Sequence, residues 1–183
     1  MLFALGTLIV TGIKLSEALI LSESGILIII FTASFIIFFI GLLYDLKVIS
    51  HVQTFMGQVA VAVILVFSGV VINHESQIIA ICISIFYLIA LINALKLQDS
   101  IDGLATGLAG IASFFFGVIF YFQGNIMGML IAGIVVGSNI AFLYYNMYPA
   151  QLKLGSNGAF LVGLLLGVMV LLVGMRELSL QTF

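Results

Sequence analysis

Long apolar runs alternate with short polar islands along this chain, and the runs have the length of membrane spans. They cover residues 1–13, 25–43, 55–72, 78–95, 103–122, 126–143 and 159–175. The run Gly25–Leu43 holds 19 residues without a charge, which makes about 28 Å of helix against a hydrocarbon core of about 30 Å. The first run, Met1–Ile13, reaches only about 20 Å. It either extends past Lys14 by snorkelling or is the remnant of something longer. Its only lysine follows the apolar stretch, so it does not read as a signal peptide. The runs are too long for barrel strands and do not alternate, and helices are the other way to satisfy backbone groups in lipid. The pattern therefore predicts an all-α, polytopic transmembrane helical bundle of about seven spans, in a single domain over residues 1–183. The pairs Gly103/Gly107, Gly133/Gly137 and Gly163/Gly167 have the GxxxG spacing of close helix packing.

Composition agrees with the pattern. Hydrophobic residues make up 64% of the chain and charged residues 7%, where a soluble domain carries about 25% charged residues. Mean hydropathy is +1.41. With a net charge of −2 and no basic patch, nothing points to a nucleic-acid partner. Cys82 is the single cysteine, which excludes a disulfide or thiolate framework and leaves a packing residue.

Three polar islands carry six of the twelve charged residues: Tyr44–Lys47, Lys96–Gly103 and Pro149–Gly158. Alternation of spans puts all three on one side of the bilayer. They hold Lys47, Lys96 and Lys153, against Lys14 and Arg176 on the other side. The positive-inside bias then turns the islands to the cytoplasm, so the chain is expected to be a multi-pass protein of the inner (plasma) membrane. His51 and His74 fall on opposite sides and share no metal site.

Asp99 and Asp102 lie three apart at the start of the fifth run, so on a helix they would share one face. One alternative makes Asp99 an N-cap with Asp102 in the first turn. The other is functional, because ionisable residues at a membrane span are candidates by default. Asp45-x-Lys47 is by itself an ordinary solvated turn. Together, three aspartates and three lysines on one face could hold Mg²⁺ through oxygen while the ammonium groups meet phosphate. In the third island Pro149 stops a helix, and Tyr144 and Tyr145 suit an interfacial aromatic belt. Gly155-Ser156-Asn157-Gly158 opens the last helix. Its free N–H groups could receive an anion, or Ser156 or Asn157 could be a plain N-cap.

Read in order, the islands resemble the polyprenyl-phosphate N-acetylhexosamine-1-phosphate transferases (glycosyltransferase family 4), which include lipid I synthase and the enzymes that start O-antigen and teichoic-acid linkage assembly. The family's Gly-Leu-x-Asp-Asp motif reads here Gly41-Leu42-Leu43-Tyr44-Asp45, with Gly57-Gln58 following. Its Asn-Ala-x-Asn-x-x-Asp-Gly-x-Asp-Gly-Leu-Ala motif reads Asn93-Ala94-Leu95-Lys96-Leu97-Gln98-Asp99-Ser100-Ile101-Asp102-Gly103-Leu104-Ala105. Its third motif reads Phe142-Leu143-Tyr144-Tyr145-Asn146-Met147-Tyr148-Pro149-Ala150, then Gly155-Ser156-Asn157-Gly158.

The resemblance implies transfer of a sugar-1-phosphate from a UDP-N-acetylhexosamine to undecaprenyl (polyprenyl) phosphate in cell-envelope glycan synthesis, with Mg²⁺. It places Asp45, Asp99 and Asp102 at the metal and reacting phosphates, and Asn93 and Asn146 at substrate. Lys47, Lys96 and Lys153 are the candidates for phosphate contact by charge. The chain departs from the family pattern at Tyr44, Lys96 and Ser100. It departs also at Ser156, which with Asn157 occupies the region where the family has its metal-ligand aspartate. Family members are nearly twice as long, with ten or eleven spans, and this chain matches their middle part. The expected partners are the lipid phosphate, the UDP-sugar and the membrane, with homo- or hetero-oligomers open. The alternative is a catalytically impaired, truncated paralogue that binds a lipid phosphate or pairs with a full-length relative. A small transporter or channel suits the composition but none of the motifs.

Overall fold

The computed structural model describes residues 24–72 and 76–177. The expected first span, the charges at Lys14, Glu17 and Glu23, and His74 lie outside those residues. Six helices follow in the described part: α1 Ser24–Asp45, α2 His51–Phe67, α3 Gln77–Gln98, α4 Leu104–Phe122, α5 Ile126–Asn146 and α6 Gly155–Glu177. Five are long and apolar enough to cross a membrane; α2, with 17 residues, is the exception. The chain is thus a polytopic helical membrane bundle, as its pattern predicts.

The short helix α2 differs from the expected span over residues 55–72 at both ends, for local reasons. It starts early because Ser50-x-x-Gln53 forms a capping box. The Gln53 N–H donates to Ser50 Oγ (3.4 Å) and the Ser50 N–H donates to Gln53 Oε1 (2.8 Å). It stops early because Gly69 takes a left-handed φ of 101°. Val70 N–H then returns to Leu65 O and Gly69 N–H to Val66 O, the hydrogen bonds that close a Schellman end. At about 25 Å, α2 falls short of the hydrocarbon core. The apolar chain beyond it is pinned instead by the Ile72 N–H on the buried Ser84 hydroxyl, 2.9 Å away.

Helix α6 is the centre of the bundle, with 61% of its apolar segment buried against 22–33% for the other spanning helices. It packs on α1 and α3 and, less extensively, on the hairpin of α4 and α5. A Cβ on Gly163 would stand 2.7 Å from Ile92 Cα, and one on Gly167 2.7 Å from Leu88 Cδ2. That GxxxG pair therefore sets how closely α6 approaches α3. The other two pairs do not act this way. Gly107, Gly133 and Gly137 have nothing within 4 Å, and Gly103 is a turn residue with φ 73°. Phenylalanines such as Phe35, Phe86, Phe114 and Phe122 stay exposed on the outer faces, where the surrounding solvent is lipid.

Candidate functional site

The three polar islands meet at one end of the bundle, and their aspartates hold them together. Asp45, the last residue of α1, accepts through Oδ2 the backbone N–H groups of Ser156 (2.8 Å) and Asn157 (3.3 Å). Asp99, just past α3, accepts the Gly155 N–H through its Oδ2 at 3.1 Å. The first turn of α6 has N–H groups without intrahelical partners and the positive end of the helix dipole. The anion it receives is the chain's own pair of carboxylates, supplied by two other helices.

Glycines make this convergence sterically possible. Gly41 sits one turn before Asp45, and a Cβ there would clash with the Asn157 backbone, 2.7 Å from its nitrogen. Gly155 has φ 72°, and a Cβ on it would lie 3.0 Å from Asp45 Oδ2. Neither position tolerates a side chain with the carboxylates where they are.

Asp99 and Asp102 do not share a helix face, contrary to the expectation from their spacing. Asp99 is the C-cap of α3, and α4 begins only after Gly103, whose left-handed φ of 73° is that helix's N-cap. The intervening turn aims the two carboxylates at different parts of the third island. Asp102 Oδ2 accepts the Ala150 N–H at 3.2 Å, next to the cis Tyr148–Pro149 bond.

Asn146 is buried and fully engaged within the fold. Its Oδ1 accepts from Gly103 N–H (3.1 Å) and Thr106 Oγ1 (2.9 Å), and its Nδ2 donates to Leu152 O (2.8 Å). It ties the second island to the third, and no polar atom of its amide is without a partner in the chain.

The lysines surround Asp99 unevenly. Burial is the largest influence on the Asp99 carboxyl and raises its pKa above the usual carboxylate value. Lys96, the Gly155 and Leu154 N–H groups and Lys153 pull the other way without overcoming it. Lys47 is exposed, at a left-handed φ of 57° in the turn that ends α1.

Beside this junction an open cleft of about 300 Å³ runs between the end of α1, the start of α2, the end of α3 and the start of α6. Tyr44 and Phe160 form its aromatic side, and Gln58, Asn93 and Lys96 its polar side. Tyr44, where the resembled motif has an aspartate, is hydrogen-bonded through its hydroxyl to His51 Nδ1 at 2.8 Å. Asn93 Nδ2 donates to Gln58 Oε1 (2.7 Å) and to Ile89 O (2.8 Å). His51, Gln58 and Phe160 were not site candidates from sequence. The capping box at Ser50 was the available signal for His51, since it starts α2 early enough to bring His51 under Tyr44.

Among the described residues no three acidic, histidine or cysteine side chains come together as a metal-binding group. Mg²⁺ commonly uses only one or two protein carboxylates and completes its shell with phosphate oxygens and water. Asp45, whose Oδ1 lies outside its two bonds, and Asp99 at the same helix start suit that mode. Asp102 is turned away to Ala150. Ser156 adds nothing outward: its hydroxyl is buried and has no hydrogen-bond partner, and Asn157 Oδ1 accepts the Gly158 N–H at 2.8 Å.

Sequence comparison places these residues among known proteins. Residues 27–174 match the model of glycosyl transferase family 4. Phospho-N-acetylmuramoyl-pentapeptide-transferase of Clostridium novyi (strain NT) is 38% identical over 89 residues, 49% of this chain and 27% of that protein. A probable undecaprenyl-phosphate N-acetylglucosaminyl 1-phosphate transferase of Bacillus subtilis (strain 168) is 28% identical over 149 residues, 76% of this chain and 42% of that protein. The chain thus spans less than half the length of these relatives.

Proposed function

The chain belongs to glycosyl transferase family 4, and we propose that it moves a sugar-1-phosphate from a UDP-N-acetylhexosamine to a polyprenyl phosphate. One observation carries this reading: two carboxylates and two lysines from separate polar islands gather at the start of α6. Transfer of this kind needs little covalent help from the protein and depends on positioning and charge neutralisation.

In the proposed reaction an oxygen of the lipid phosphate attacks the phosphorus that bears the sugar. The bond from that phosphorus to the bridging oxygen breaks, and UMP departs with the electron pair. Lys96 and Lys153 flank Asp99 and offset the charge that the two phosphates bring together. Asp45 and Asp99 are the residues that would hold Mg²⁺, which supplies further neutralisation of the diphosphate when bound. Asp102 acts at a distance by fixing the loop at Ala150. The excess of lysine at this end supports a cytoplasmic orientation.

The test is release of UMP from UDP-N-acetylglucosamine and UDP-N-acetylmuramoyl-pentapeptide in membranes holding the protein and undecaprenyl phosphate. UMP formation above an empty-vector control, lost in Asp45→Asn, supports the reading. No UMP with any divalent ion overturns it. A second reading then stands, a lipid-phosphate-binding protein without transfer. Tyr44 favours it, since its phenol is bound to His51 at a position where the family pattern has a carboxylate.

A further inference from the structure

We infer that the cleft between the ends of α1 and α3 and the starts of α2 and α6 is the seat of a phosphate monoester, held by Lys96 and Gln58. The inference rests on the reading above, in which such a phosphate is the acceptor, and adds where it sits and what binds it.

The chemistry of the lining is one-sided. Lys96 is its formal charge, and among the described residues no carboxylate lines the cleft. An aspartate at position 44 would have placed a like charge against an incoming phosphate. Tyr44 instead presents an aromatic ring with its hydroxyl tied to His51.

Gln58 supplies a second, independent argument. It is 2% exposed, and its orientation is fixed by its neighbours. Asn93 Nδ2 is anchored on the Ile89 carbonyl, so the atom of Gln58 facing that nitrogen at 2.7 Å is Oε1. The remaining end of the amide, Nε2, is a donor with no partner among the described residues, on a residue that lines the cleft. That donor opens on the cleft, where an acceptor from outside the chain can meet it, and Lys96 on the same lining selects an anionic one.

The route in favours a headgroup carried by lipid. Phe55 stands at the cleft and is half exposed, and its neighbours Val52 and Met56 on α2 are 69% and 67% exposed. The cleft therefore adjoins apolar helix surface that faces the bilayer.

The experiment is a binding titration of the purified full chain in detergent, followed by ³¹P NMR, with farnesyl monophosphate as probe, excess EDTA and no UDP-sugar. Saturable binding is expected. Lys96→Gln should weaken it at least about tenfold, the loss of one charge-assisted hydrogen bond. Lys96→Arg should restore most of it, and Gln58→Met should weaken it in turn. Tighter binding of the prenyl ester than of inorganic phosphate identifies a lipid source, and equal binding a free phosphate; either supports the site. Equal binding of farnesol, or undiminished binding in Lys96→Gln, overturns it. Absence of UMP release alongside Lys96-dependent binding overturns the transfer reading alone. UMP release with undiminished binding in Lys96→Gln overturns this inference alone.

Discussion

Replacing Gly41 by alanine should part α1 from α6 and dismantle the junction that carries the site. A Cβ at this position clashes with Asn157 Cα and lies 2.7 Å from Asn157 N and 2.9 Å from the Ser156 carbonyl carbon. Carbon atoms in contact need about 3.5–4 Å, and all three obstacles are backbone, so the helices must separate by about 1 Å. Asp45 follows one turn later on the same face. Its bonds of 2.8 and 3.3 Å to the α6 N–H groups would stretch to or beyond the limit of hydrogen bonding. Overpacking costs about 1–3 kcal/mol. The weakened charged hydrogen bonds add about 1–2 kcal/mol at an exposed carboxylate. A total of about 2–5 kcal/mol is a large part of a typical stability of about 5–15 kcal/mol. Gly133→Ala is the matched control, since nothing lies within 4 Å of that position. Glycine removal from a helix interior there should gain about 0.5–1 kcal/mol. Thermal unfolding in detergent, followed by helical circular dichroism, compares the two variants, and hydrogen exchange reads the Ser156 and Asn157 amides. If Gly41→Ala melts with the parent and both amides stay protected, the close-approach argument is wrong.

Asn146→Ala should destabilise by about 2–4 kcal/mol, because it strands the Gly103 N–H, the Thr106 hydroxyl and the Leu152 carbonyl; a change within about 0.5 kcal/mol in a denaturation series would contradict this. Ser156→Ala removes a buried hydroxyl with no partner, so it should be neutral or stabilising by up to about 1 kcal/mol and leave UMP release intact. Burial raises the Asp99 pKa above 3.8, so the folded chain holds that proton more tightly than the unfolded one. The stability this adds is complete below the ordinary carboxylate value and is lost as pH rises through the folded value. Melting temperatures of parent and Asp99→Asn across that range should converge at low pH, with the variant relatively more stable above it; a constant difference would count against the burial argument.

The spans were legible in the sequence because lipid imposes one solution on a long uncharged run, and α1 and α3 to α6 follow those runs closely. Boundaries set by backbone chemistry were less so. The apolar run over residues 55–72 hides the stop at Gly69, because lipid-compatible side chains continue past the turn. GxxxG spacing was a weak guide: of the three pairs only Gly163/Gly167 packs closely, while Gly41, with no such partner, makes the tighter approach. Spacing also misjudged Asp99 and Asp102, which helical periodicity sets side by side and the Gly103 turn sends to separate targets. The gathering of the three islands at one end followed from alternation alone. That two of their aspartates would cap a third island's helix did not, since contacts across more than 50 residues leave no local signature.

The double role of the aspartates bears on how loss of activity in their variants is to be read. Asp45 caps α6 from α1, and Asp99 caps it from the end of α3. An alanine at either position would leave N–H groups at a helix start without an acceptor, and activity would fall even if the carboxylate had no chemical part. Asparagine separates the two roles. Its Oδ1 can still accept the same N–H groups, so the cap persists while the negative charge is lost. At Asp99 the exchange also relieves the burial of a charge, which is the largest influence on that group. A protein that melts no earlier with asparagine at 99 and yet releases no UMP therefore assigns the carboxylate to the chemistry. One that melts earlier in proportion to its lost activity assigns it to the fold.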